Sequence, residues 1–296
     1  MKLCKPLFEI WEQSAGLEGV YKQIERVGRV CYKSEDKITE DSAKPFVDRM
    51  IKSGHGAMLE HGTVYLQYET AKSAINPLTK YYLNKYSKVK AKEGAIEETM
   101  RLFVTTNLRV LVENNWLKDL EYICEPTEFH EKRITVHFVC DRGVSHEFVR
   151  HRVMSFAQES TRYCNYSKDK FGNELTFIKP CWLDIPTGQY VYWDGDWCDI
   201  DKMKIQLPEG EHKDIDAFLW TLNNAETHYT LLINSGWKPQ EARAVLPNSL
   251  KTELVMTGFV SDWKHFFELR CDSAAHPQAR ELAIPLREEF IKRNYI

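Results

Sequence analysis

The stretch Arg150–Tyr163 reads RHRVMSFAQESTRY, and it sets Arg150, His151, Arg152 and Arg162 among Phe148, Val149, Val153, Met154 and Phe156. Cations between bulky apolar residues need anions, because burying an unpaired charge costs several kcal/mol. Asp141, Glu147 and Glu159 are the acids near this stretch in sequence. Two sources of negative charge stay open here: distant acids of the same fold, or a ligand that carries phosphate. A helix beginning near Ser145, a plausible N-cap, would carry the segment HEFVRHRV. Successive helical side chains stand ~100° apart, so Arg150, His151 and Arg152 would fan over about 200° and line two sides of a broad ligand. Past the helix, Ser160 and Arg162 would point the same way in extended chain. A hydroxyl beside a planar guanidinium fork makes a phosphate grip.

Working outward, TVYLQYE (63–69) alternates with Val64, Leu66 and Tyr68 on one side, and KRITVHFVC (132–140) does so with Ile134, Val136, Phe138 and Cys140. Both patterns predict strands. The residues between them, about 70–131, look helical and read as an insertion or an excursion from a sheet that the two strands share, with the lysines of KYYLNKYSKVKAKEG (80–94) on a solvated face. Residues 164–212 are rich in Gly, Pro, Trp and Asp and read as a long loop region. In IDAFLWTLNNAETHYTLLINSG, Ile215, Phe218, Leu219, Leu222, Ala225, Tyr229 and Leu232 form one stripe of an amphipathic helix that Gly236 ends. Pro239 opens a short helix that Pro247 stops, Ser261 is placed to cap another, and Pro285 is placed to kink the last. The expectation is an α+β fold, a small mixed or antiparallel sheet flanked by several helices, in a single domain over 1–296.

The totals narrow the classes. The chain has 296 residues, 43% hydrophobic and 28% charged, with a net charge of -3, as in ordinary soluble proteins. Non-specific nucleic-acid binding usually rests on a basic surplus, which is missing. Among the eight cysteines no C-x-x-C occurs, which argues against a zinc ribbon or a dithiol redox pair. The start MKLCKPLFEIWEQ has no apolar h-region, and no run reaches the ~20 apolar residues of a membrane span. A cytoplasmic protein without membrane contact is expected. The aromatic share of 12% suits a thick core, an interface or a stacked planar ligand alike.

Arg150-His151-Arg152, seven residues, then Ser160, with Arg162 and Tyr163 following, resembles the long motif of the flavin-dependent thymidylate synthases, the thymidylate synthase-complementing family. HGAMLEHGTVYLQY, with Glu60 and His61, resembles that family's Glu-His element. EARAVLP, with Arg243, resembles its A-R-x-x-L-P. HFFELR, with His265, Leu269 and Arg270, resembles its H/N-F-x-x-L-R, and AHPQARE follows in family order.

The resemblance implies reductive methylation of dUMP to dTMP, with 5,10-methylenetetrahydrofolate as carbon donor, FAD as hydride carrier and NADPH as its reductant. It implies a homotetramer with sites shared between subunits. It places Arg150, His151, Arg152, His61, His265 and Leu269 at the flavin. Ser160, Arg162 and Arg243 fall at the nucleotide's sugar and phosphate, and Glu147, Gln158 and Glu159 also at the nucleotide. Arg270 falls at the uracil, where a fixed cation stabilises negative charge as N3 ionises. Ser160 is carried with Arg270 as a catalytic candidate. Two departures stand out: Phe259-Val260-Ser261 occupies the place of an Asn-x-Arg that contacts flavin, and Cys31 stands where relatives have Ser.

Other readings compete. His55 and His61 are six apart and fall on different faces of a helix, so no metal is expected there. Cys181 in KPCWLD resembles the Pro-Cys of classical thymidylate synthases, but its surroundings differ. Ser160 as a nucleophile lacks an evident base. A rival from another class is a single-stranded nucleic-acid module built on Arg142, Arg150, Arg152, Arg162, Lys168, Lys170, Tyr163 and Tyr166. A steep salt dependence would favour it, and flavin absorbance would favour the enzyme.

Overall fold

The computed structural model of the chain describes residues 1–71, 79–94, 96, 98–168, 172–199, 203–205 and 213–296. In chain order the strands are β1 (Lys2–Cys4), β2 (Leu7–Trp11), β3 (Thr63–Ala71), β4 (Lys88–Glu93), β5 (Thr99–Asn107), β6 (Arg133–Asp141), β7 (Ser155–Gln158), β8 (Thr176–Ile178), β9 (Gly188–Gln189), β10 (Val191–Trp193), β11 (Asp196–Cys198) and β12 (Lys251–Phe259). The α-helices are α1 (Gly16–Tyr32), α2 (Ala43–Lys52), α3 (Gly56–Leu59), α4 (Thr79–Tyr82), α5 (Leu108–Glu113), α6 (Arg142–Phe148), α7 (Lys213–Asn234), α8 (Pro239–Ala242), α9 (Val260–Arg270) and α10 (Pro277–Lys292).

The alternation in KRITVHFVC explains the main sheet, whose order is β2-β6-β12-β7 with every neighbour antiparallel. Ile134, Val136, Phe138 and Cys140 join Leu254 and Met256 against Trp263, Phe266 and Phe267 of α9 and Leu282, Leu286 and Phe290 of α10. On the other face Val255 and Ala157 pack on Val27 and Val30 of α1. Beside those residues the same face carries Thr135, His137, Glu253 and Thr257, so a buried polar layer lies under α1.

A second sheet, β3-β5-β4, packs Val64, Leu66, Leu102 and Val104 against Val20 and Ile24 of α1 and Phe46 and Val47 of α2. Helix α1 therefore serves two sheets with one stripe. Its close approach needs Gly62, where a Cβ would stand 2.5 Å from Ile24 and 2.7 Å from Val20. A third core joins Leu3, Phe177, Tyr190 and Trp197 to Leu219, Leu222 and Tyr229 of α7.

The α+β class, the two strands and the α7 stripe agree with expectation; Ile215, Leu219, Leu222, Ala225 and Tyr229 are buried, and Gly236 takes φ +92°. Other expectations are corrected. The segment 70–131 is not a helical insertion: it carries the strands β4 and β5 beside the short helices α4 and α5, and β3 and β6 lie in different sheets. Lys88, Lys90 and Lys92 recur with the period of a strand and sit on an edge strand, where lysine discourages pairing with other chains. TMRLFVTTN supplies the β-branched and aromatic residues of the central partner. Residues 72–78, 95 and 97 of that segment lie outside the described residues. Within 164–212 the short strands β8 to β11 form where a loop was expected.

Helix α6 starts at Arg142, capped by Asp141, whose Oδ1 accepts from Val144 N at 2.6 Å, and it stops at Phe148. Ser145 does not cap; its hydroxyl donates to Arg142 O at 2.9 Å. Nor does Ser261 cap α9: Asp262 accepts from Phe259 N at 2.9 Å, and Ser261 Oγ donates to Glu131 at 2.5 Å.

Candidate functional site

Because α6 ends early, Arg150, His151 and Arg152 lie in the turns that lead into β7, not on a helix. Arg152 N donates to Arg150 O at 3.0 Å and Met154 N to His151 O at 3.0 Å. The turns send Arg150 and Arg152 outward and His151 inward, where it is 6% exposed. Among the described residues neither outward guanidinium has an ion-pair partner.

Helix α9 ends at Arg270, and its guanidinium is held at three nitrogens. Nε donates to His151 Nε2 at 3.0 Å, Nη1 to Glu147 Oε2 at 2.9 Å and Nη2 to Glu147 O at 2.7 Å. Arginine can only donate, so His151 Nε2 must accept and the ring is neutral with its proton on Nδ1. Burial, then Arg270 and His265, push the His151 pKa down to about 4. The His265 ring lies 6.0 Å from that of His151. His265 and Leu269 are exposed, one helical turn apart. The fold thus brings Glu147, His151, His265 and Arg270 together from elements more than a hundred residues apart in sequence.

The second expected group forms at the end of β7. Ser160 and Arg162 do not lie in extended chain: Tyr163 N and Cys164 N both donate to Ser160 O, at 3.1 and 2.9 Å, and Arg162 N donates to Ser160 Oγ at 3.3 Å. Serine here closes a turn on its own backbone. Ser160 N donates to Cys31 O at 3.1 Å, so the RVCY element holds this turn through its main chain. Arg243 Nη1 donates to Thr161 Oγ1 at 3.2 Å, while Arg162 is exposed and lies over the Tyr163 ring. Gln158 Nε2 donates to Ser145 Oγ at 2.8 Å and Thr252 Oγ1 at 3.2 Å.

Two named residues face inward. Glu159 is 2% exposed, its carboxylate bonded by Tyr166 Oη at 3.0 Å and Lys251 Nζ at 3.3 Å. His61 is fully buried; Nδ1 lies 2.8 Å from Thr257 Oγ1, and Nε2 is enclosed with no partner at full hydrogen-bond geometry among the described residues. Burial, then nearby Arg133, push its pKa down to about 3. Tyr166 is likewise buried, which removes it as a stacking surface for bases, and Lys170 lies outside the described residues.

Sequence reasoning passes over one half-buried network. Glu253 pairs with Lys33, with Lys251 at 2.5 Å and with His137 Nε2 at 2.9 Å. Burial raises the Glu253 pKa, but His137, Lys251 and Lys33 more than offset it and hold the carboxyl well below its usual range. Through Lys251 this network reaches Glu159, and it ties the β7 end to β12 and α1. The alternating Lys251 and Glu253 on β12 are its only local signal.

Residues 114–293, well over half of the chain, match the family model described as thymidylate synthase complementing protein, and the chain belongs to that family. It is 31% identical over 160 residues to a flavin-dependent thymidylate synthase of Pyrococcus furiosus, which covers 53% of each chain. It is 29% identical over 157 residues to that of Pyrococcus abyssi, 52% of each chain. The chain spans about half the length of these relatives. A third relative, from Corynebacterium aurimucosum, is 22% identical over 277 residues, 93% of this chain and 77% of the relative. A solved structure of the UMP/dUMP methylase PolB from Streptomyces cacaoi, bound with 5-Br dUMP, aligns over 99% of this chain and 93% of that one, with 18% identity and a TM-score of 0.43.

Proposed function

We propose that the chain is a flavin-dependent thymidylate synthase, converting dUMP to dTMP with 5,10-methylenetetrahydrofolate as carbon donor and NADPH as terminal reductant. The observation that supports this most is the three-point fixation of Arg270 by Glu147 and His151, in a chain of this family. Two of the five N–H donors of Arg270 remain uncommitted, on Nη1 and Nη2, and they can meet the anionic edge of a pyrimidine. Because Glu147 and His151 lock the fork beforehand, no reorganisation is needed when that charge develops.

The donor set suits a flavin dinucleotide: Arg150 and Arg152 offer guanidinium groups with no ion-pair partner among the described residues, and His265 and Leu269 offer an exposed polar and apolar edge beside neutral His151. FAD supplies hydride chemistry when bound; the residues around it bind and orient. His61, which the resemblance carries to the flavin, is fully enclosed in the chain as described and presents no surface to a ligand. Arg162 and Arg243 take the nucleotide phosphate, with Thr161 fixing Arg243. Ser160 shapes their turn, its hydroxyl accepting from Arg162 N, and this favours a binding role over nucleophilic attack. The reading includes a cytoplasmic homotetramer with shared sites.

The direct test is tritium release from 5-labelled dUMP, which should require methylenetetrahydrofolate, NADPH and FAD together. Release that is independent of flavin, or absent with all three, overturns the assignment. Arg162→Ala should weaken dUMP roughly 10- to 100-fold and deoxyuridine little, since a charge-assisted hydrogen bond is worth about 1.5–3 kcal/mol. Titration calorimetry with both ligands checks this, and equal losses would remove Arg162 from the phosphate.

A further inference from the structure

A cleft opens where the β3-β5-β4 sheet meets the end of the main sheet, lined by Lys85, Lys88 and Asn107 from one side and Arg133, Ser155, Phe259 and Asp262 from the other. Arg133 is the first residue of β6 and lies under both sheets. Its Nη1 donates to Glu60 O at 2.9 Å and Thr63 Oγ1 at 3.3 Å, its Nη2 to Ser155 Oγ at 3.1 Å, and its Nε is buried with no partner among the described residues. Those partners are a carbonyl and two hydroxyls. Among the described residues no carboxylate lies within ion-pair distance of Arg133. Neutral partners satisfy its N–H groups, and the charge is offset only at longer range, by Asp262 and by Glu60, which is itself paired with Arg109.

Lys85 and Lys88 add two more cations without ion-pair partners among the described residues; they lie over the rings of Tyr86 and Phe259, at 4.8 and 5.5 Å. The acid on the cleft wall, Asp262, has one oxygen committed to capping α9 through Phe259 N. Three cations against one acid leave the cleft positive, and Asn107 and Ser155 add polar groups at its wall. A phosphate supplies the missing anion and the acceptor oxygens at once.

We infer that this cleft binds the phosphate groups of a nucleotide ligand, with Lys85, Lys88 and Arg133 as its cations. If the proposed function holds, that ligand is the flavin dinucleotide and the group is its diphosphate; the anion site itself does not depend on that reading. The cleft includes Phe259, the first residue of the stretch that replaces an expected Asn-x-Arg. The chain then draws its cations from the turn before β4, from β4 itself and from β6.

The test is calorimetry on the full chain with FAD, riboflavin and inorganic pyrophosphate, comparing wild type with the double variant Lys85→Glu/Lys88→Glu. Both lysines are exposed, and equal thermal melting of the two proteins checks that the fold is intact. FAD and pyrophosphate should bind wild type and weaken at least roughly tenfold in the variant, with riboflavin unchanged. Affinities for both phosphate ligands that stay within about twofold overturn the inference, as does a wild type that binds neither. Pyrophosphate binding that the variant loses, without FAD binding, keeps the anion site and overturns the flavin reading instead.

Discussion

Arg270→Ala should lower thymidylate turnover by about 10²–10³-fold, the loss expected when a preorganised donor to a developing anion is removed. Flavin affinity should change by less than threefold, since Arg150, Arg152 and the cations of the cleft remain. The structural cost is small: Glu147 is partly exposed and regains water, and His151 loses one donor at Nε2. Arg270→Lys is the sharper probe. Lysine keeps the charge but cannot reach His151 Nε2, Glu147 Oε2 and Glu147 O at once in a planar fork. The lysine variant should therefore recover dUMP binding more than turnover. Single-turnover rates and dUMP dissociation constants for both variants separate the two effects. Full turnover in Arg270→Ala removes the residue from the chemistry.

That arginine also shows what the sequence makes legible. Arg270, Glu147 and His151 are recognisable one by one from motifs, but their mutual fixation joins positions 123 and 119 residues apart and has no local sign. The strands at 63–69 and 132–140 and the α7 helix are readable because one buried face stamps its own period on the residues. Segment 80–94 misleads because its lysines are exposed, and exposed charge suits a helix face as well as an edge strand. The fan of Arg150 to Arg152 fails for a different reason. Asp141 caps α6 four residues earlier than Ser145 would, and the chain must turn at once to pair Ser155 with Thr257. Arg133 is hidden because it is one cation at a strand end; that its side-chain partners are a carbonyl and two hydroxyls, with no carboxylate at ion-pair distance among the described residues, is seen only in three dimensions.

Two buried histidines carry the other large expectation, a loss of stability in mild acid. His61 and His151 are both buried, with pKa values pushed down to about 3 and about 4 in the folded chain. An unfolded histidine titrates near 6.5. Below that pH the unfolded chain takes up protons that the folded chain refuses, so stability is complete above about 6.5 and falls as pH drops toward those folded values. Each histidine contributes a slope of about 1.4 kcal/mol per pH unit in that window, or about 2 kcal/mol at pH 5, and the pair about 4 kcal/mol. His130, lowered by burial in the same direction, adds to the trend. Glu253 acts in a lower window: its pKa is depressed, so its share persists above the ordinary glutamate range near 4.5 and is lost only below it. Urea unfolding at pH 7 and pH 5 measures the total. In His61→Asn the drop between the two pH values should shrink by about half of the pair's contribution, even though the variant starts less stable at pH 7 for want of the bond to Thr257. An unchanged drop would mean that His61 is protonated within the folded chain, and its neutral pairing with Thr257 would have to be abandoned.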